Sequence, residues 1–278
     1  GVAAAIALLW GVAFNWIYLA IMVGMYLLTG LGITIGFHRY FTHKSFDTSR
    51  PVVAFLGVAG SMAVQGALLD WAATHRRHHQ HSDNKHDPHS PHTHGGGVKG
   101  VLKGAWHAHV GWFLKQRPGR DRRYVVDLAK DPMISKISSL FLLWALLGLL
   151  LPAAIGGLIT MSWMGALLGF LWGGLVRVFL VHHVTWSVNS VCHLWGSRPF
   201  RSHDHSRNNP IFGILALGEG WHNNHHAFPT SARHGLGWWQ FDISYVIIKS
   251  LSLVGIVRNV RVPSRERIES KRANGHAA

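Results

Sequence analysis

Cysteine is nearly absent: the 278-residue chain has one, Cys192. A single thiol excludes an intramolecular disulfide framework and any zinc or iron–sulfur site built on several cysteines. Cys192 reads as a small buried packing residue. Charge is scarce too. Asp, Glu, Lys and Arg make up 14% of the residues, against about 25% in an ordinary soluble domain. Residues 1–36 carry none. There is also no H-P-G-G haem signature and no G-x-G-x-x-G after a strand, so these residues hold no recognisable electron-carrying module.

What is abundant is apolar surface and histidine. Hydrophobic residues make up 48% of the chain, with 13 Trp, 13 Phe and 22 His. Long uncharged runs point to a polytopic membrane protein. The net charge of +15 is unevenly spread: Lys and Arg number none in 1–36, 15 in 37–136, none in 137–176 and 12 in 177–278. Basic blocks alternating with uncharged spans put both blocks on the cytoplasmic side. Such a face suits anionic lipid and phosphate-bearing substrates rather than nucleic acid.

The chain opens at Gly1 inside an apolar run, which reads as a truncated N-terminus. Gly1–Trp10 reads as the end of a first span, with a turn near Gly11–Trp16 and a full span over Ile17–Gly36. Val52–Leu69, long enough to cross, reads instead as a helix half-sunk in the cytoplasmic leaflet; crossing would put Arg76–Lys136 outside. Asp70–His81 is helical. The loop after it carries His89, His92 and His94 as solvated residues. Ile137–Leu158 and Trp163–Val184 form a membrane hairpin around Pro152 and Gly156-Gly157, and Gly165, Gly169 and Gly173 mark close helix packing. Arg177 either snorkels to the surface or meets a buried polar partner. Asp242 caps a helix over Asp242–Val257, and Arg258–Ala278 is a mobile basic tail.

Three histidine groups punctuate this plan. His222, His225 and His226 are spaced i, i+3, i+4, which puts three imidazoles on one helical face. His75, His78 and His79 repeat that spacing. Chance would produce it about 0.1 times in such a chain, and twice about 0.01 times. His38 and His43 are five apart, about 140° on a regular helix, and fit better where the backbone bends. Imidazole is the commonest ligand for transition metals. Eight imidazoles exceed one octahedral shell, so two metals are inferred. Ligand type does not name the metal. A zinc hydrolase wants three ligands and a carboxylate base, which fits poorly; a redox pair of irons acting on O2 and a lipid-borne hydrocarbon fits better. A metal transporter would carry ionisable groups within its spans, and only Arg177 does so.

On G-I-T-I-G-F-H-R-Y-F-T-H (32–43), D-W-A-A-T-H-R-R-H-H-Q-H-S-D (70–83), T-W-S-V-N-S-V-C-H-L-W-G-S-R-P (185–199) and E-G-W-H-N-N-H-H-A-F-P (219–229), the chain resembles the membrane fatty-acid desaturases of the Δ9 acyl-CoA type, in a bacterial form. The resemblance implies an all-α integral membrane fold, four transmembrane helices and a cytosolic helical cap holding a dinuclear iron centre. It divides this single domain into spans within 1–36, cap in 37–136, membrane hairpin in 137–184, cap in 185–257 and tail in 258–278. It implies His193 as a ninth ligand beside His38, His43, His75, His78, His79, His222, His225 and His226, and Asn189 as a ligand through water. Tyr26, Gly30, Gln65, Trp71, Thr185 and Trp186 would line a bent acyl tunnel; Lys115 and Arg117 would meet headgroup phosphates. His182 and His183 fall off ligand positions and read as hydrogen-bonded structural groups.

The activity implied is O2-dependent introduction of a cis double bond, Δ9 in an acyl-CoA, with two Fe cycling between Fe2+ and Fe3+ in the bacterial inner membrane. Zinc would be an artefactual occupant. The acyl carrier is CoA, acyl carrier protein or a lipid, and the electron donor a separate ferredoxin, flavin reductase or cytochrome b5-like protein. The rival readings are an acyl-lipid desaturase and a membrane hydroxylase or alkane oxygenase.

Overall fold

The computed structural model describes residues 15–115, 119 and 121–273; the first span expected over Gly1–Trp10 lies outside them. Among the described residues three helices are long and apolar enough to cross a membrane: Trp16–Thr42, Phe141–Thr160 and Trp163–Leu194. The rest of the described chain is short helices and loops gathered around the ends of the first and third. The only sheet among the described residues is the two-residue antiparallel pairing of Asp47–Thr48 with Val257–Arg258.

Asn15 starts the first long helix, its side chain accepting from the Ile17 amide, which leaves one fewer donor unsatisfied at that end. The helix then changes pitch and runs in π-helical form over Gly32–Thr42. Arg50–Ser61 has 12 residues, about 18 Å of helix, too short to cross. It packs tightly on the π segment. A Cβ on Gly32 would come within 2.4 Å of the Ala59 and Gly60 backbone, and one on Gly60 within 2.4 Å of Phe37. Leu68–His81 follows and carries the second histidine group.

The long hairpin turns at Met161–Ser162, where Met161 adopts the left-handed conformation and Ser162 caps the next helix. Pro152, expected at the turn, lies inside the helix. The Gly148 carbonyl that Pro152 cannot bond accepts from Arg177 instead, and Gly169 and Gly173 pack closely on the proline, where added Cβ atoms would stand 2.2 Å and 2.4 Å from it. The third helix does not stop at Val184. Residues 184 and 185, the expected junction of hairpin and cap, sit within one unbroken stretch to Leu194.

Of the two readings of Arg177 the buried one holds: it is fully buried and donates to the carbonyls of Gly173, Met62 and Gly148, which satisfies a buried cation without a carboxylate. One further expectation is corrected. The basic tail, as far as Ala273, is docked. Ala273 N donates to Pro199 O at 2.9 Å, Arg201 N to Lys271 O at 2.8 Å, and Lys271 Nζ to Ala227 O. Asp242 caps Ile243–Leu253 through the Tyr245 amide, as expected.

Candidate metal centre

The π-helical segment resolves the awkward spacing of the first group. A π-helix closes i→i+5 hydrogen bonds, so residues five apart stand about one turn apart. His43 N donates to His38 O at 3.1 Å, and the two rings lie 4.8 Å apart between centroids. The groups expected on the Leu68–His81 and His222–Ala227 helices arrive on helices as the i, i+3, i+4 spacing requires.

Nine imidazoles meet and divide into two sets. His38, His43, His75, His79 and His225 form one, and His78, His193, His222 and His226 the other. Within each set the candidate ligand atoms lie within 4.8 Å of one another. Each H-H dipeptide is shared between the sets, because consecutive helical residues point about 100° apart. Nε2 atoms approach closely: His38 to His225 at 3.0 Å, His79 to His225 at 2.9 Å, His75 to His79 at 3.1 Å, and His193 to His222 at 3.1 Å. Nitrogens bound at about 2.1 Å to one ion at right angles would be about 3.0 Å apart.

The tautomers sharpen this fit. A carboxylate only accepts, so a neutral imidazole bonded to one through Nδ1 keeps its hydrogen there and a lone pair on Nε2. His78 Nδ1 meets Asp87 at 3.0 Å, His193 Nδ1 meets Asp83 at 2.9 Å and His226 Nδ1 meets Asp204 at 2.6 Å. Burial holds His78 well below the usual imidazole range and lowers His226, so both are neutral. Their Nε2 lone pairs then face each other across 3.4 Å, an arrangement that a cation between them makes favourable. In the other set His43 Nε2 is buried with no hydrogen-bond partner. Burial likewise keeps His75, His79, His222 and His225 well below the usual range, as neutral donors.

The carboxylates behind the imidazoles were not singled out from the sequence. Asp204 lies between His226 and the Ser206 amide and hydroxyl. Burial alone would raise its carboxyl, but His226 and Ser206 outweigh that and hold it well below the usual range. In the five-imidazole set only Glu219 plays a comparable part. Its Oε2 is 2.5 Å from His38 Nδ1, yet too far off the N–H direction to count as a hydrogen bond. Glu219 is held by Arg39, which is 0% exposed. Arg39 reaches Glu219 at 2.8 Å, both Asp242 oxygens at 3.0 and 3.2 Å, and His234 Nδ1 at 3.0 Å. The available signal was scarcity: few of the chain's 12 acids can be spared from the surface, and several stand within a few residues of a histidine.

His89 corrects the reading of a solvated loop. It is 3% exposed, with its ring 4.2 Å from that of His78, and it groups with His78 and Asp87. His92 Nε2 donates to the His193 carbonyl at 2.9 Å. His182 meets Ala63 O at 3.0 Å and His183 meets His109 at 2.9 Å.

A mostly apolar cavity leads from the imidazoles toward the first long helix. Tyr26, Gly30, Gln65, Trp71, Thr185 and Trp186 all line it, together with Asn189, His38, His75 and His222. Gln65 donates to Thr185 at 2.9 Å and accepts from Trp71 at 3.3 Å, fixing the middle of the wall. At the far end Tyr26 OH donates to Leu215 O at 2.7 Å, and a Cβ on Gly30 would touch Leu217 at 2.9 Å. Lys115 lies apart from this cavity, exposed beside a cleft with Arg77 and Trp112. Arg117 lies outside the described residues.

Comparison with known proteins follows the same lines. The family model for fatty acid desaturases matches residues 6–251. The chain is 44% identical over 274 residues to a hex-5-enoyl-[acyl-carrier protein] acetylenase of Moorena producens, covering 98% of this chain and 85% of that protein. It is 37% identical over 257 residues to an sn-1 stearoyl-lipid 9-desaturase of Anabaena variabilis, covering 91% and 87%. A Synechocystis protein of the same name is 37% identical over 262 residues, covering 93% and 76%.

Proposed function

The chain belongs to the fatty acid desaturase family, and from that premise we propose that it introduces a cis double bond at position 9 of a saturated acyl-CoA. The observation that carries this reading is the convergence of nine imidazoles, in two sets, on the wall of one apolar cavity. His38, His43, His75, His79 and His225 would hold one iron, and His78, His193, His222 and His226 the other, with Asn189 adding a water-borne contact. A pair of irons held there would supply the oxidising power to remove two hydrogens from neighbouring methylenes, with O2 reduced to two waters by those hydrogens, two protons and two electrons from a separate donor.

The chain's own contribution is placement. The Gln65–Thr185–Trp71 wall holds the acyl chain where the cavity meets His38 and His75, and the Tyr26–Leu215 contact limits how far its methyl end runs. Fixing the reacting carbons beside the imidazoles turns an unselective oxidation into a regioselective one, an orientation effect. Apolar walls keep water from the reacting carbons. The active site faces the cytoplasm from the inner membrane. Zinc, which outcompetes ferrous iron for nitrogen ligands, would occupy the sites in overexpressed protein and leave it inactive.

A second reading, that the acyl chain is presented on a glycerolipid, is favoured by the relatives named as stearoyl-lipid desaturases. The test is product analysis of iron-loaded full-length protein given stearoyl-CoA, stearoyl-acyl carrier protein or stearoyl glycerolipid with a reducing partner. A 9-alkene from the CoA ester is expected; an alkene only from the lipid selects the second reading, and an alcohol overturns both in favour of a hydroxylase.

A further inference from the structure

We propose that the loop 195–207 is the docking surface for a small acidic protein that carries one electron at a time; the inference rests on the desaturase reading, which needs such a donor. The loop reads W-G-S-R-P-F-R-S-H-D-H-S-R. Its one carboxylate, Asp204, is buried and bonded inward to His226 at 2.6 Å. Its cations are left uncompensated. Arg198 bonds Ser202 and the Asp204 carbonyl, Arg201 the Ser270 carbonyl, and Arg207 the Gly196 carbonyl. Among the described residues none of the three pairs with a carboxylate. Trp195, 62% exposed, stands among them. Arginine with an exposed aromatic is the composition of a protein-binding surface, and an excess of one sign draws a partner of the other.

The inner side of the same loop touches the metal centre. The His205 amide donates to Asp83 Oδ2 at 2.7 Å, and the same oxygen meets His193 Nδ1 at 2.9 Å. Two hydrogen bonds therefore link the outer surface to an imidazole of the four-membered set. Each docked carrier would be oxidised by one electron, and two such transfers would supply the two electrons that the desaturation consumes.

Two other acidic or anionic partners fit less well. None of residues 195–207 lines the acyl cavity, so a carrier protein delivering the acyl chain would not sit here. Nor is lipid within easy reach. Trp163–Leu194 is 32 residues, about 48 Å long, and the hydrocarbon core takes about 30 Å. The helix is thus about 18 Å longer than the core needs.

The test measures binding of an acidic [2Fe–2S] ferredoxin to the detergent-solubilised full chain, and the rate at which that ferredoxin reduces the iron-loaded protein. Arg198→Gln, Arg201→Gln and Arg207→Gln together should weaken binding and slow reduction at least about tenfold at low salt. Reduction by dithionite should be unchanged. Raising ionic strength should erase the wild-type advantage. Should the triple variant misfold, Arg201→Gln alone, which loses one carbonyl contact, should still weaken binding about two- to fivefold. Unaltered ferredoxin binding and reduction in a folded, metal-replete variant would overturn the proposal. So would variants that lose binding to apo-acyl carrier protein or to phosphatidylglycerol vesicles while keeping ferredoxin. If dithionite-reduced protein makes no alkene yet binds ferredoxin through these arginines, the desaturase reading fails and the docking surface stands.

Discussion

The two imidazole sets are built from the same residue type but supported differently. Three of the four imidazoles in the His78 set have Nδ1 bonded to an aspartate. In the five-membered set one glutamate makes one bent contact, to His38. Three imidazoles of the first set are therefore held in orientation before any metal arrives. The second relies on helix geometry, on the π turn that aligns His38 with His43 and on the Arg39 cluster behind Glu219. Partners of this kind orient a ligand and raise its basicity, so the His78 set should bind its ion more tightly and the five-membered set should be the first emptied by a chelator.

The largest effect tests whether the two sets work as one unit. His38→Ala and His78→Ala should each reduce alkene formation more than about 100-fold while the protein stays in the membrane. Metal analysis should show about one ion lost per chain in each. Full activity in either variant would remove that set from the chemistry. The support itself is tested next. Asp204→Asn should weaken metal binding at the His78 set by about 10- to 100-fold, read by competition with a chromogenic chelator. Glu219→Gln should cost less, because its contact is poorly aligned; an equal or greater loss would erase the contrast drawn here.

Arg39 sharpens the contrast from the side of stability. Arg39→Met would leave Glu219 and Asp242 buried without their cation. Breaking a buried ion pair from one side costs about 3–5 kcal/mol. The loss should appear in denaturation of the metal-free protein. Its metal binding should fall chiefly at the five-membered set, since Arg39 touches nothing in the other.

Local spacing made eight of the nine imidazoles legible, and only the family resemblance pointed to His193; their division into sets was not legible, because it depends on where four helices meet. The supporting acids were hidden for the same reason: Asp204 is 22 residues from His226, and Glu219 is 181 from His38. The π segment left no mark in composition, and only the i, i+5 spacing hinted that the backbone must depart from a regular helix. The hairpin turn was misplaced because Pro152 and Gly156-Gly157 resemble a turn when read singly. In the fold they are small surfaces against which the third helix packs. His89 looked solvated because Pro and Gly surround it, yet the loop closes over the metal site.

The smallest effect lies where Arg76 ties two scaffolds together. Arg76 donates to the Phe41 and Thr42 carbonyls at the end of the π segment, at 2.8 and 3.1 Å, and to Asp127 at 2.6 Å. It thus joins the helix bearing His38 and His43 to that bearing His75 and His79. Burial would raise the Asp127 carboxyl, but Arg76 and Lys44 outweigh it and bring the pKa down to about 2. A carboxylate depressed on folding stabilises the folded state above its unfolded pKa of about 3.8, and that stability is lost as pH falls from there toward about 2. Asp127 is partly exposed, so screening limits the pair to about 1 kcal/mol or less. The stability difference between wild type and Asp127→Asn should therefore be about 0.5–1 kcal/mol at pH 7 and vanish toward pH 2. A difference independent of pH would mean that Asp127 acts through packing, and the five-membered set would lose the electrostatic tie proposed for it.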